Sequence, residues 1–192
     1  MSPLEVFAVV VSVLGVSLTI LRSMWCWVVN LLAVVLYAWL FYEVKLYGET
    51  ILQIFFMGMN VYGFAYWLKG KQQDQQIRVE MIPMQLAFKQ MGLAAIGGLI
   101  FGLILYFFTD AAVPILDAQL AAFSLLGTYW TSQKYIATWM LWVVVDIIYV
   151  GMFAYKDLYL TAGLYAAFVG LAAFGWWQWL QIRAKQQSPS SL

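Results

Sequence analysis

Seven apolar runs follow one another along this chain, each long enough to cross about 30 Å of hydrocarbon. They lie near Leu4–Leu21, Met24–Tyr42, Thr50–Leu68, Gln90–Phe108, Pro114–Thr131, Ile136–Tyr155 and Leu158–Gln181. Only 10% of the residues are charged and 65% are hydrophobic, whereas a soluble domain carries about 25% charged residues and could not hide this much apolar surface. A segment in lipid must satisfy its own backbone groups, and a helix does so. The expected fold is an all-α polytopic membrane protein with seven transmembrane helices. The four prolines, Pro3, Pro83, Pro114 and Pro189, fall at run ends or in linkers, so no span is expected to be broken. The first run lacks a positive leader and a small-residue cleavage site and reads as a retained span.

The linkers are short except Lys69–Lys89, which is polar, and the tail after Ile182 is rich in Ser and Gln. Orientation follows the basic residues. Two of them, Lys45 and Lys156, fall on the side of the N-terminus; eight fall on the other, namely Arg22, Lys69, Lys71, Arg78, Lys89, Lys134, Arg183 and Lys185. The second side is expected to be cytoplasmic, with the N-terminus periplasmic and the C-terminus cytoplasmic.

An internal repeat organises the whole. Shifted by 112 residues (139 − 27 = 112), Trp27 falls on Trp139, Tyr37 on Tyr149, Phe41 on Phe153 and Leu46-Tyr47 on Leu158-Tyr159. Further on, Gly58, Gly63 and Trp67-Leu68 fall on Gly170, Gly175 and Trp179-Leu180. Upstream, Ser12, Gly15 and Thr19 fall on Ser124, Gly127 and Thr131. The offset is four spans, an even number, so matching spans run the same way and the repeat is parallel. The expected plan is 3+1+3: residues 1–68 as the first three-helix unit, 69–110 as cytoplasmic loop and linker helix, 111–181 as the second unit, and 182–192 as a polar tail. Transporters with parallel repeats, the SWEET class among them, place substrate near mid-membrane between the repeats.

The sixth span carries the one acid near mid-depth, Asp146. Such a charge costs about 2.5–3.5 kcal/mol on insertion scales and marks function by default. At helical spacing its face reads Trp139, Trp142, Asp146, Tyr149, Phe153. No Lys or Arg falls inside a span and the chain has no His, so Asp146 is either protonated and hydrogen-bonded or paired with a cation that is not part of the chain. Aromatic faces also attract cations, and an acid between Trp and Tyr suits a flat organic cation. The halves differ around it. Trp142 corresponds to Asn30 and Asp146 to Val34; Gln53, Phe56 and Asn60 share a face of the third span, opposite Tyr165, Phe168 and Ala172 in the repeat. The fifth span adds Ser124 and Thr128. The candidate substrate site is Asp146, Trp142, Tyr149, Asn60, Gln53, Phe56, Tyr37, Asn30, Thr128 and Ser124.

Structural roles compete for several of these residues. Trp25, Trp27, Trp67 and Trp179 fall near span ends, where Trp forms interfacial belts. Asn60 and Gln53 also serve to join helices. Gly58, Gly63, Gly170 and Gly175 read as close-packing positions. With no His and a single Cys, Cys26, there is no His-based acid–base catalysis, no Cys–His pair and no intrachain disulfide. Hard ligands for a metal are too few, no cofactor is expected, and a net charge of +1 gives no reason to expect nucleic acid.

RSMWCWVVN, LYGETILQIFF and YGFAYWL in the first half, and KYIATWMLWVVVD, LYLTAGLYAAF and GWWQWL in the second, resemble the PnuC-type vitamin transporters. The resemblance runs from about Leu21 to Leu180 in the family's order. It implies a bacterial inner-membrane transporter for nicotinamide riboside, with a SWEET-like fold, assembled as a homotrimer. It also implies facilitated diffusion, with substrate trapped by a cytoplasmic riboside kinase and no ATPase partner. The pyridinium cation of that substrate would suit Asp146 and the aromatics, and its ribose Asn60 and Gln53. Thiamine, another aromatic cation, is the alternative cargo. SWEET sugar transporters hinge at prolines within spans; here alternating access must come from rocking of whole helices or from glycine-rich positions.

Overall fold

A computed structural model describes residues 3–43, 47–74, 78–109, 113–155 and 159–187. It contains α1 (Pro3–Ile20), α2 (Trp25–Glu43), α3 (Tyr47–Asp74), α4 (Met84–Phe108), α5 (Pro114–Ser132), α6 (Ala137–Tyr155) and α7 (Tyr159–Gln187). Each of the seven apolar runs has become one helix, and Pro83 and Pro114 sit at helix starts, where a missing N–H costs nothing. Three boundaries differ by six residues from the sequence reading. Helix α3 continues to Asp74 and α7 to Gln187, so part of the polar linker and most of the expected tail are helical: Lys, Gln and Ala are good helix formers once a span has nucleated the helix. Helix α4 likewise starts at Met84 rather than Gln90. The basic residues Lys45 and Lys156, with Leu46 and Leu158 of the repeat, lie outside the described residues.

Polarity runs inside out relative to a soluble protein. Asp146, Asn60, Ser124, Thr131, Ser132 and Thr138 are buried, while Phe7, Val10, Leu32, Phe55, Ile100, Val144 and Ile147 face outward. This is the distribution of a multi-pass membrane protein, in which hydrocarbon is the outer solvent.

Among the described residues the packing pairs are α1 with α2, α2 with α3, α3 with α5, α5 with α6, α6 with α7, and α7 with α1, while α4 packs only on α5. Six helices thus close a ring, and helices matched by the repeat stand opposite one another across it. Gly98 and Gly102 bring α4 close to α5, where a Cβ would come within 3.0 Å of Gln119 and 2.9 Å of the Ile115 backbone.

The repeat reappears as repeated contacts. Arg22 and Lys134, 112 apart, are the two non-glycine residues with positive φ among those described, at 56° and 63°. Each ends its helix in a Schellman turn: Ser23 N–H donates to Leu18 O and Arg22 N–H to Thr19 O, and Tyr135 N–H donates to Trp130 O and Lys134 N–H to Thr131 O. Trp27 meets Trp67 edge-on with ring centroids 5.4 Å apart; Trp139 meets Trp179 in the same way at 5.3 Å. Trp67 Nε1 donates to Ser132 O (2.9 Å) and Trp179 Nε1 to Ile20 O (3.1 Å). The two acceptors are the last residues of α5 and α1, whose carbonyls have no partner within their own helix. Helix α3 thus caps α5, and α7 caps α1.

This corrects the belt reading. Trp25 is 68% exposed, as a belt residue is, but Trp27 is 2% exposed and Trp67 and Trp179 are fully buried. With Ile20, Cys26, Val79, Ile136, Trp139 and Ala172 they form a cluster that closes one end of the ring. Gly63 and Gly175 are close-packing positions, against Trp27 and Trp139 respectively; Gly58 and Gly170 are not, since a Cβ at either would meet nothing within 4 Å.

Candidate functional site

Helix α6 turns Met140, Val144, Ile147 and Ile148 outward, so the opposite face, with Trp142, Asp146 and Tyr149, points into the bundle. Asp146 is 5% exposed and has no hydrogen-bond partner among the described residues, in contrast to Thr138, about two turns nearer the closed end on α6, and Thr131 of α5 beside it, which bond each other (2.9 Å) and the Gly127 carbonyl. A buried carboxylate without donors costs several kcal/mol unless something compensates it.

Aromatic rings bracket the acid along α6. The Trp142 indole lies on Gly127 of α5, so close that a Cβ there would be 3.0 Å from its Cε2. On the other side Tyr149 packs on Tyr165 of α7 (centroids 4.7 Å), which meets Phe168 edge-on at 5.8 Å. Tyr165 and Phe168 were not among the candidates; their signal was equivalence to Gln53 and Phe56 in the repeat. From α5, Ser124 is buried, and the Thr128 hydroxyl donates back to Ser124 O (3.0 Å). That hydroxyl serves its own helix first.

The first-half candidates line other helices. Gln53, Phe56 and Asn60 lie on the same face of α3 as buried Gly63 and Trp67; Asn60 is buried and its Nδ2 donates to Phe56 O (2.8 Å). That leaves the Asn60 carbonyl oxygen as an acceptor. Asn30 is seated against Gly15 and reaches Thr19 Oγ1 at 3.4 Å; Tyr37 is half-buried farther along α2. Among the described residues neither α2 nor α3 packs directly on α6. The structure thus joins Trp142, Asp146 and Tyr149 with Tyr165 and Phe168, and places Asn30, Tyr37, Gln53, Phe56 and Asn60 on helices that do not pack against α6. Among the described residues no three His, Cys, Asp or Glu side chains gather. A separate crevice of about 360 Å³ between α3, α4 and α5 is lined by Met59, Leu93, Ala94, Ala122 and Leu126, with Gln90 and Tyr129 as its polar groups. It lies outside the ring.

A family described as Nicotinamide mononucleotide transporter matches residues 2–181. The chain belongs to that family. Its activity is transport, and the chain is a membrane transporter rather than an enzyme. Among curated proteins it is similar to the Nicotinamide riboside transporter PnuC of Escherichia coli (strain K12), 22% identical over 205 residues that cover 94% of this chain and 86% of that protein. A protein of the same name from Neisseria mucosa is 26% identical over 130 residues, 65% of this chain and 49% of the relative. The crystal structure of the Vitamin B3 transporter PnuC superposes with a TM-score of 0.78 at 23% identity, covering 96% of this chain and 83% of that one. At that identity the match establishes the shared seven-helix fold of the PnuC family.

Proposed function

We propose that this PnuC-family member imports nicotinamide riboside across the bacterial inner membrane by facilitated diffusion, with the riboside retained inside by a cytoplasmic kinase. In this reading it works as a homotrimer, with its N-terminus periplasmic and its C-terminus cytoplasmic, and residues 1–68 and 111–181 are two parallel transport units joined through 69–110. The matched contacts at an offset of 112 support that partition. The observation that carries the cargo is Asp146: a buried acid among Trp142, Tyr149 and Tyr165, with no Lys or Arg inside a span and no His in the chain. A cationic pyridinium supplies the missing counter-ion. A mononucleotide would bring a phosphate instead, toward an acid and away from any cation. Asn60 and Gln53 are proposed to serve the ribose hydroxyls. The acid and its aromatics fit thiamine on the same grounds, so thiamine is the second cargo to test.

Asp146→Asn, nearly isosteric, is expected to keep the fold and weaken binding of the cation by about 1.4–3 kcal/mol, roughly ten- to a hundredfold. The expectation exceeds the 0–1 kcal/mol typical of an exposed pair because Asp146 is buried. Calorimetry with nicotinamide riboside, thiamine and the neutral, reduced riboside decides it. The neutral ligand should lose much less than the cation. If the Asn variant binds the cation as tightly as the parent, Asp146 is structural and the cargo must be argued anew.

A further inference from the structure

The crevice outside the ring takes no part in the site around Asp146, yet its walls share one ordered pattern. Its floor is α5, with Ala122, Leu126 and Tyr129; Met59 of α3 forms one wall, and Leu93 and Gln90 of α4 the other. At about 360 Å³ it is as large as a small-molecule pocket, which runs to about 300–1,000 Å³. All three helices become more polar toward the end that carries the Lys69–Lys89 segment. On α3, Met59, Tyr62, Tyr66 and Lys69 follow at spacings of three, four and three, so they form one stripe. On α4, Lys89 stands one turn nearer that end than Leu93; α5 runs Leu126, Tyr129, Gln133 and then Lys134. From Met59 to Lys69 the helix rises about 15 Å, half of the roughly 30 Å of hydrocarbon. The crevice and its mouth therefore span one leaflet.

The polar end is held in place by its own bonds. Gln133 Nε2 donates to the Tyr62 hydroxyl (3.0 Å), and the Tyr62 ring stacks on Tyr129 with centroids 6.3 Å apart. Having accepted that bond, the Tyr62 hydroxyl keeps its proton to donate. Gln90 Oε1 accepts from Trp130 Nε1 (2.6 Å), which leaves the Gln90 amide as a donor. The Lys134 ammonium lies 5.7 Å from the Tyr66 ring centre. Its backbone is fixed by the segment between α3 and α4: Glu80 N–H donates to Lys134 O (3.0 Å), and Ile136 N–H donates to Glu80 O (2.9 Å). The Glu80 carboxylate is near enough to act on Tyr66 and Tyr135. Three lysines outnumber it, one each from α3, α4 and the end of α5.

We propose that this crevice is a binding site for an anionic phospholipid, one acyl chain lying on α5 between Met59 and Leu93 and the phosphate at the mouth among Lys134, Lys69 and Lys89. The order of groups along the walls is that of a lipid: apolar side chains at chain depth, hydroxyl and amide donors at the level of the esters, ammonium groups at the phosphate. Tyrosines favour that middle level, and basic pockets between helices at a membrane face recognise anionic head groups. A second copy of the chain fits less well. Of its nine acidic residues only Asp74 and Glu80 fall at this end, against eight Lys and Arg, so a copy would bring mainly like charge to the three lysines. Among the described residues α4 packs on α5 alone; the lipid becomes its neighbour on the α3 side and ties the linker helix to the ring. The site requires the chain in a bilayer but not the cargo; with the orientation proposed above, its leaflet is the cytoplasmic one.

The test uses the full purified chain in a zwitterionic detergent, titrated with phosphatidylglycerol or with phosphatidylcholine and read by native mass spectrometry and thermal unfolding. One phosphatidylglycerol per chain is expected to be retained and to raise the melting temperature, with a smaller shift from phosphatidylcholine at the same fraction. Lys89→Gln and Lys134→Gln should weaken retention about fivefold each and about thirtyfold together. Arg183→Gln with Lys185→Gln removes two charges from the same end but on α7, which packs on α6 and α1, and should retain the lipid as the parent does. Leu93→Trp, at a position 62% exposed, fills the crevice with every charge kept and should abolish the selective shift. Equal shifts from the two lipids, equal losses in the two charge pairs, or an undiminished shift in Leu93→Trp would each overturn the site. If Leu93→Trp changes the oligomeric mass in light scattering and leaves lipid retention intact, the crevice seats a second copy and the lipid reading is wrong. A chain that retains phosphatidylglycerol but does not take up nicotinamide riboside keeps this site and overturns the cargo.

Discussion

Gly63→Ala is the smallest change that probes how the closed end is built. A Cβ at Gly63 would overlap Cη2 and Cζ3 of Trp27 and lie 2.6 Å from Cζ2. Carbon atoms rest at about 3.5–4.0 Å, so the ring must retreat by more than about 1 Å. One turn along the same face of α3 the ring also meets Trp67, edge-on at 5.4 Å, which is itself buried and bonded to Ser132 O and blocks retreat in that direction. Overpacking of this kind costs about 1–3 kcal/mol, offset by the roughly 1 kcal/mol that Ala gains over Gly in a helix interior. Gly58→Ala, five residues away with nothing within 4 Å, has the gain without the clash. Comparing the two cancels the helix contribution and leaves about 1–3 kcal/mol. At about 2–4 °C per kcal/mol for a chain this size, Gly63→Ala should melt about 2–12 °C below Gly58→Ala. The repeat supplies an internal duplicate: Gly175→Ala meets Trp139 at 2.7 Å, a milder overlap, and should fall below Gly170→Ala by the lower part of that range. The assay is thermal unfolding of the purified variants in one detergent, followed by tryptophan fluorescence. If Gly63→Ala and Gly58→Ala melt together, the Trp27 ring is free to move and the closed end is not the rigid cluster described.

Three other expectations can be checked directly. With the Lys69–Lys89 segment cytoplasmic, Met84→Cys in a Cys26→Ser chain should resist an impermeant thiol reagent in intact cells and react after permeabilisation; labelling of intact cells refutes the orientation. With facilitated diffusion, a proton gradient imposed on vesicles clamped at zero potential should not concentrate nicotinamide riboside, and accumulation under those conditions means coupling. Trp142→Ala should weaken binding of the cationic riboside by about 0.5–2 kcal/mol, the range of one cation–π contact, and unchanged calorimetric affinity would remove that ring from the site.

Much of this was legible in the sequence because membrane insertion leaves few options. Seven apolar runs gave seven helices, and Asp146 stood out because no cation shares its depth. The tryptophans were harder to place. A Trp near the end of an apolar run has the same local sequence whether it faces headgroups, as Trp25 does, or another Trp, as Trp27 and Trp67 do. What separates Trp27 from Trp25 is Gly63, far away in sequence, which makes room for its ring. The ends of α3 and α7 were misplaced for a different reason. Lys and Gln mark where hydrocarbon stops, but they do not stop a helix. Tyr165 and Phe168 were read as the counterparts of Gln53 and Phe56 but left out of the candidate site, because equivalence in the repeat does not show that Tyr149 packs on Tyr165. Glu80 gave no signal at all: a backbone bridge depends on where two loops meet, not on side chains.

Among the described residues helix α4 packs on α5 alone and closes nothing. Its use lies in counting. On the proposed 3+1+3 partition, a unit of three crossings returns the chain to the opposite side of the bilayer from where it began, so a second unit joined directly would be threaded upside down. One further crossing restores the direction, and only then can Trp67 find the end of α5 while Trp179 finds the end of α1. Were the two units separate polypeptides, each would insert the right way up unaided and α4 would have no task. A gene that fused two copies end to end would have had to acquire such a helix before the halves could face each other.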